Sequence, residues 1–196
     1  MATDSLTEQY KKRKAQALED LSIEIELKEI YGKEKGDEKF IQMKNSQEQF
    51  PTISKWDQRF LLLAQHISAW SKDPSTKCGA VITNNNRIIS LGFNGLPRGV
   101  PDLDNYLLDR ELKLQMILHA EVNAILFARR PLEGCTIYTW PFLSCCRCAA
   151  VIIQSGITKV VTLLLENELT KRWYKELEVA RKLYREAGVE VVEINL

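Results

Sequence analysis

From residue 136 onward, short apolar runs alternate with helix-length segments, and this alternation narrows the possible folds more than any other feature of the chain. Thr136–Trp140 reads as a strand, residues 145–154 as a helix stopped by Ser155-Gly156, and residues 158–165 as a strand. Residues 169–187 form a long charged helix and residues 189–194 a last strand. Strands joined through helices pair in parallel, because a parallel pair needs a crossover long enough to hold one. Upstream, Trp56, Phe60, Leu63, Ile67 and Trp70 recur at spacings of four and three, which predicts an amphipathic helix ending before Asp73-Pro74. Residues 78–82 and 87–91 flank Asn84-Asn85-Asn86 and predict an antiparallel hairpin. Residues 92–99 hold three glycines and a proline in Gly92-Phe93-Asn94-Gly95-Leu96-Pro97-Arg98-Gly99, which implies an irregular loop at the strand end. A helical segment near 109–118 leads into another over 119–129, where Val122, Ile125 and Leu126 supply the expected buried stripe. The sum is an α/β domain over residues 51–196 whose sheet is partly parallel.

With 196 residues, the chain has room for one such domain and an appendage. The composition changes near Pro51. Residues 1–50 are densely charged, and the apolar positions of 18–31 mix two periodicities, so this part is expected to be a charged, helical, solvated extension. A formal charge of +1 supplies no bulk attraction for nucleic acid or anionic lipid, and no apolar run approaches a membrane span. The N-terminus does not read as a secretory signal, so a cytoplasmic, reducing location is expected, in which the five cysteines stay unpaired.

Three of those cysteines crowd into Cys145-Cys146-Arg147-Cys148 at one predicted helix start, and His119-Ala120-Glu121 opens another. Imidazole and two thiolates suit zinc, and three protein ligands leave a fourth position for water, the arrangement of a catalytic site. Two cysteines three apart on a first helical turn project toward one point, where unpaired N–H groups and the helix dipole favour thiolate. Cys146 points elsewhere. Residues two apart on a helix differ by about 200° in direction, so Glu121 can face a substrate rather than the metal of His119. Alone, the histidine could be a cap and the Cys-x-x-Cys a packing or redox feature. Together they form the H-x-E…C-x-x-C pattern of zinc deaminases.

On these residues the sequence resembles the cytidine/deoxycytidylate deaminase superfamily, and most closely its deoxycytidylate (dCMP) deaminases, over roughly residues 55–194. Residues 73–81 (Asp73-Pro74-Ser75-Thr76-Lys77-Cys78-Gly79-Ala80-Val81), the 92–99 loop, His119-Ala120-Glu121-Val122-Asn123-Ala124-Ile125, and Cys145 to Ala149 with Ile153 to Ile157 carry the likeness in the same order. The chain departs from the pattern with Ser144 where proline usually precedes the first cysteine, and with Phe93 for the tyrosine of the Gly-Tyr-Asn-Gly motif.

The resemblance implies a three-layer α/β/α sandwich around a five-stranded mixed sheet. It implies hydrolysis of dCMP to dUMP and ammonia by zinc-bound hydroxide, with His119, Cys145 and Cys148 as ligands and Glu121 as proton shuttle. It further implies that Asn94 holds the sugar, although asparagine there also suits a turn of positive φ. Ser75, Thr76 and Lys77 would hold the 5′-phosphate, although Asp73-Pro74-Ser75 would look the same as a helix stop. Asn94, Gly95 and Arg98 are the expected contacts for the effectors dCTP and dTTP, with Mg2+ accompanying the triphosphate. A homo-oligomer such as a hexamer is expected, with Trp140, Trp173 and Tyr174 available for contacts. Two other kinds of zinc protein stay open: a deaminase of dCTP, cytidine or tRNA adenosine, and a non-catalytic module closed by a fourth ligand such as His66. A Cys-x-x-Cys redox protein is a third alternative.

Overall fold

Side chains alternate between the two faces of a strand, and in the central strands of this chain both sets are apolar, so the sheet must be covered on both sides. The computed structural model describes residues 54–164 and 168–194; the extension over 1–50, with the helical character expected at 18–31, lies outside the described residues. Five strands, β1 (Gly79–Asn84), β2 (Arg87–Phe93), β3 (Thr136–Trp140), β4 (Lys159–Leu163) and β5 (Glu190–Ile194), lie in the order β2-β1-β3-β4-β5. β1 pairs antiparallel with β2 and β3, while β3, β4 and β5 run parallel. The mixed five-stranded sheet is therefore as the sequence implies.

Ala80, Ile82, Ile137 and Val160 point to one face, and Val81, Tyr138, Val161 and Leu163 to the other. Helix α1 (Lys55–Ser68) covers the second face through Phe60, Leu61 and Ala64. Helices α4 (Ala120–Ala128), α5 (Cys146–Gln154) and α6 (Glu168–Glu186) cover the first through Ala120, Ala124, Ala149, Ile152, Leu177 and Tyr184. Two short helices, α2 (Asp104–Leu108) and α3 (Arg110–Met116), precede α4. No described helix is long and apolar enough to cross a membrane.

Two glycines set how closely helices approach the sheet. A Cβ at Gly92 of β2 would stand 2.2 Å from the carbonyl oxygen of Ala120 and 2.4 Å from the nitrogen of Ala124. One at Gly79 of β1 would meet the Ala64 carbonyl oxygen at 2.0 Å. Backbone thus rests on backbone at both contacts, and the first fixes the start of α4, where His119 and Glu121 stand.

That close packing corrects the expected buried stripe of α4. Ala120, Glu121 and Ala124 face inward, Val122 and Ile125 are half-buried, and Leu126 is 61% exposed. Small residues are required where the helix touches Gly92, so the larger apolar residues turn outward. The face of α1 also differs from expectation. Phe60 and Ile67 are buried, but Trp56 and Trp70 are exposed, and Leu61, Ala64 and Ser68 complete the covered stripe. Trp56 instead stacks on Phe60 with the Arg59 guanidinium 4.9 Å above it.

The helix expected near 109–118 is present as α3, and the short α2 precedes it. Asp109 has extended backbone and accepts hydrogen bonds from the N–H groups of Glu111 and Leu112, which starts α3 afresh. Ile117 is extended again, and Leu118 exchanges backbone hydrogen bonds with Gly95. The hairpin turn is the two-residue Asn85-Asn86, with φ of 48° and 62°, the left-handed pair that a tight turn of this hand requires.

Candidate metal and catalytic site

His119 and Cys145 are the N-caps of α4 and α5, each with extended backbone (φ −73°, ψ 156° and φ −65°, ψ 165°), and Cys148 is the third residue of α5. A cap and the third helical residue are natural side-chain neighbours, the same geometry that builds a capping box. Cys145 and Cys148 therefore meet, and Cys146 stands outside the group. The Nδ1 of His119 lies 3.5 Å from the Cys145 sulfur and 3.3 Å from that of Cys148. Bond lengths of about 2.0 Å to nitrogen and 2.3 Å to sulfur in a tetrahedral zinc site place donors roughly 3.5 Å apart, so the three atoms fit zinc. Among the described residues, this is the one group of three or more potential donors, and His66 is exposed on α1 away from it. The closed module with His66 as fourth ligand is thereby set aside, and no second donor group is present for Mg2+ among those residues.

The electrostatics match a metal site. Cys145 is lowered to about 4, first by the hydrogen bond from the Cys148 thiol and further by His119, against the opposing effect of burial. His119 is raised to about 9, first by its hydrogen bond with Cys145, and Cys148 is raised because its proton is held against Cys145. The positive ends of α4 and α5 both face the group and favour its negative charge.

Glu121, the second residue of α4, is buried, and loss of hydration raises its pKa despite the nearby His119 charge. Its carboxyl stands beside the donor group, in hydrogen-bond contact with the Cys148 thiol, while His119 is a cap with extended backbone rather than a residue of the helix. His119, Glu121 and Cys145 line one side of a cleft.

A polar network builds another part of the cleft wall. Asp73 Oδ1 accepts from the N–H groups of Ser75 (2.7 Å) and Thr76 (3.1 Å), and Lys113 of α3 donates to Asp73 Oδ1 at 2.8 Å and to the Ser75 hydroxyl at 2.9 Å. Lys113 and Asp73 are both buried, with 3% and 7% of their side chains exposed. Asn94, at the end of β2, accepts from the Cys78 N–H at 2.7 Å and donates to the Thr76 carbonyl at 2.9 Å and to Asp73 at 3.4 Å. Its φ is not positive, which removes the turn reading.

Of the residues singled out in the sequence, Ser75, Thr76 and Asn94 border the cleft. Lys77 is exposed and outside it, as is Arg98, and Gly95 is occupied in its bridge to Leu118. Trp140 and Trp173 line the cleft, while Tyr174 is exposed. Sequence reasoning missed Lys113, Arg110 and Trp173 as cleft residues. They come from segments whose approach depends on long-range closure, and the one available signal was a lysine between Leu112 and Leu114.

Comparison with known proteins agrees with this geometry. The family described as "Cytidine and deoxycytidylate deaminase zinc-binding region" matches residues 54–164. An uncharacterised deaminase from the luxG 3′ region of Aliivibrio fischeri is 49% identical over 144 residues, covering 74% of this chain and 97% of the relative. Mouse deoxycytidylate deaminase is 33% identical over 147 residues, covering 69% of this chain and 77% of the relative. The crystal structure of the dCMP deaminase from cyanophage S-TIM5 superposes with a TM-score of 0.54 at 23% identity, over 70% of this chain and 96% of that one, a likeness of fold. With one imidazole and two sulfurs gathered at paired helix starts inside the matched region, the chain belongs to the cytidine and deoxycytidylate deaminase zinc-binding family.

Proposed function

We propose that this protein hydrolyses dCMP to dUMP and ammonia. The observation that carries the reading is the juxtaposition, at one cleft, of three zinc donors, a buried carboxyl, and cationic and hydroxyl side chains. The mouse relative is a deoxycytidylate deaminase, and the same S-TIM5 fold has been captured with dCMP and dUMP. His119, Cys145 and Cys148 would hold zinc, which would act as a Lewis acid and bring the ionisation of water toward neutral pH. Glu121, buried beside the donors with its carboxyl pKa raised by loss of hydration, is the group placed to take and return a proton. Its carboxylate accepts one proton of the attacking water and delivers it to N3 of the cytosine ring as the C4–O bond forms, then takes the second proton from the new C4 hydroxyl and delivers it to the amine as the C4–N bond breaks, leaving the C4 carbonyl and ammonia. One carboxylate serves as base and then acid.

At the other end, Ser75 and Thr76 are suited to a 5′-phosphate, with Arg110 and Lys113 as its cations in place of the exposed Lys77. The fork of donors on arginine fits phosphate oxygens. Asn94 holds the 73–78 segment, and the second lone pair of its Oδ1 is the valence left for a sugar hydroxyl. Activation by dCTP and inhibition by dTTP at the loop of Asn94, Gly95 and Arg98, within a homo-oligomer, complete the reading.

The test is a substrate panel of dCMP, dCTP, deoxycytidine and cytidine followed by ultraviolet absorbance, repeated with added dCTP or dTTP, with assembly mass measured in parallel. Preference for dCMP supports the reading. Equal turnover of deoxycytidine removes the phosphate contact, and unchanged rates with both triphosphates remove the regulation.

A further inference from the structure

Ser144 stands immediately before the first sulfur ligand, where the zinc-deaminase motif carries proline. Proline would restrain the backbone at that point by fixing φ near −65°. Serine leaves the torsion free, so the approach to α5 needs another restraint.

The structure supplies one. Ser144 is 1% exposed, and its Oγ lies 2.6 Å from the hydroxyl of Tyr184, a fully buried residue of α6. The Tyr184 ring belongs to the same apolar cluster as Leu143, Ala149 and Ile152, which flank the ligand segment on both sides. Burial raises the phenol above its ordinary range, against the lowering by its hydrogen bond with Ser144, so the hydroxyl keeps its proton. α6 thus reaches the site twice, with Trp173 in the cleft wall and Tyr184 behind the ligands.

We infer that the Ser144–Tyr184 hydrogen bond takes the place of the motif's proline, holding the backbone that enters α5 so that Cys145 and Cys148 meet His119. Tyr184 is then a positioning residue for the metal donors. The inference rests on the zinc reading of those donors and is independent of which nucleotide is deaminated.

The experiment measures zinc affinity by competition with a chromophoric chelator, the absorption bands of the cobalt-loaded protein, and thermal unfolding. Tyr184→Phe is expected to bind zinc about ten- to a hundredfold more weakly and to shift the cobalt bands. Ser144→Ala combined with Tyr184→Phe leaves neither buried hydroxyl unpaired, so its unfolding temperature recovers relative to Tyr184→Phe while its zinc affinity stays low. Ser144→Pro combined with Tyr184→Phe regains the parent affinity and the parent cobalt spectrum. Parent-like affinity in the alanine–phenylalanine pair would make the hydroxyl pair mere packing and overturn the inference. A proline variant that stays weak or fails to fold would overturn the equivalence. A parent protein that binds no zinc would remove the metal reading as well.

Discussion

On one side of the cleft, His119, Glu121, Cys145 and Cys148 sit within the first turns of α4 and α5, each placed by its own short segment of chain. On the other, Lys113 must reach across 40 positions of sequence to Asp73, and Asn94 across 16 to the N–H of Cys78. The first side is local and needs only that two helices begin at the same sheet end. The second is a polar network in which the buried Asp73, Asn94 and Lys113 hold the more exposed Ser75 and Thr76. In the proposed reading, chemistry is carried by parts that are simple to place, and substrate shape by parts that only the complete fold assembles.

The largest effect is expected on the local side. Cys145→Ala removes one of three donors, so metal content and deamination should both fall to background, read by elemental analysis and by ultraviolet assay. The network side should fail differently. Lys113→Met leaves Asp73 charged and buried without its partner, which costs about 3–5 kcal/mol of stability by the usual cost of breaking a buried pair. Urea unfolding checks this, and the folded fraction should keep its zinc. Lys77→Ala, at an exposed site outside the cleft, should leave both stability and dCMP turnover unchanged.

Between these lies the seam that joins sheet to site. Gly92→Ala forces a methyl against the backbone of Ala120 and Ala124, and overpacking of this kind costs about 1–3 kcal/mol. Because those atoms begin α4, zinc affinity should drop along with unfolding temperature, whereas a purely global defect would lower the second alone.

A smaller signal separates the donors themselves. In metal-free protein at pH 7.5, His119, raised to about 9, carries its extra proton; Cys145, lowered to about 4, is thiolate; and Cys148 is a thiol. Zinc requires a neutral imidazole and two thiolates, so binding should release about two protons, one from His119 and one from Cys148. Calorimetry in buffers of different ionisation enthalpy counts them. Release of none would mean that the donors are not those three.

What was legible in the sequence follows the same division. The strands of the central sheet announced themselves because both faces are apolar, and the donor set because caps and first turns are local features. The stripe of α4 was misread because a helix rich in apolar residues on all sides shows no clear face. Its inward side was chosen by the backbone contact at Gly92 rather than by hydrophobicity. Trp56 and Trp70 were assigned to the core on periodicity alone, whereas Leu61 and Ala64 win that place by lying against the sheet. Lys113 and Tyr184 were invisible as site residues, since a lysine beside leucines and a tyrosine in a charged helix look ordinary until distant segments close around them.

The most direct measurement is zinc content and dCMP turnover of Glu121→Gln beside the parent. One zinc per chain is expected in both proteins, with a rate lower by about two to four orders of magnitude in the variant, the usual scale of a general acid–base contribution. Full turnover by the glutamine variant, or a parent that turns over dCMP without zinc, would contradict the proposed mechanism.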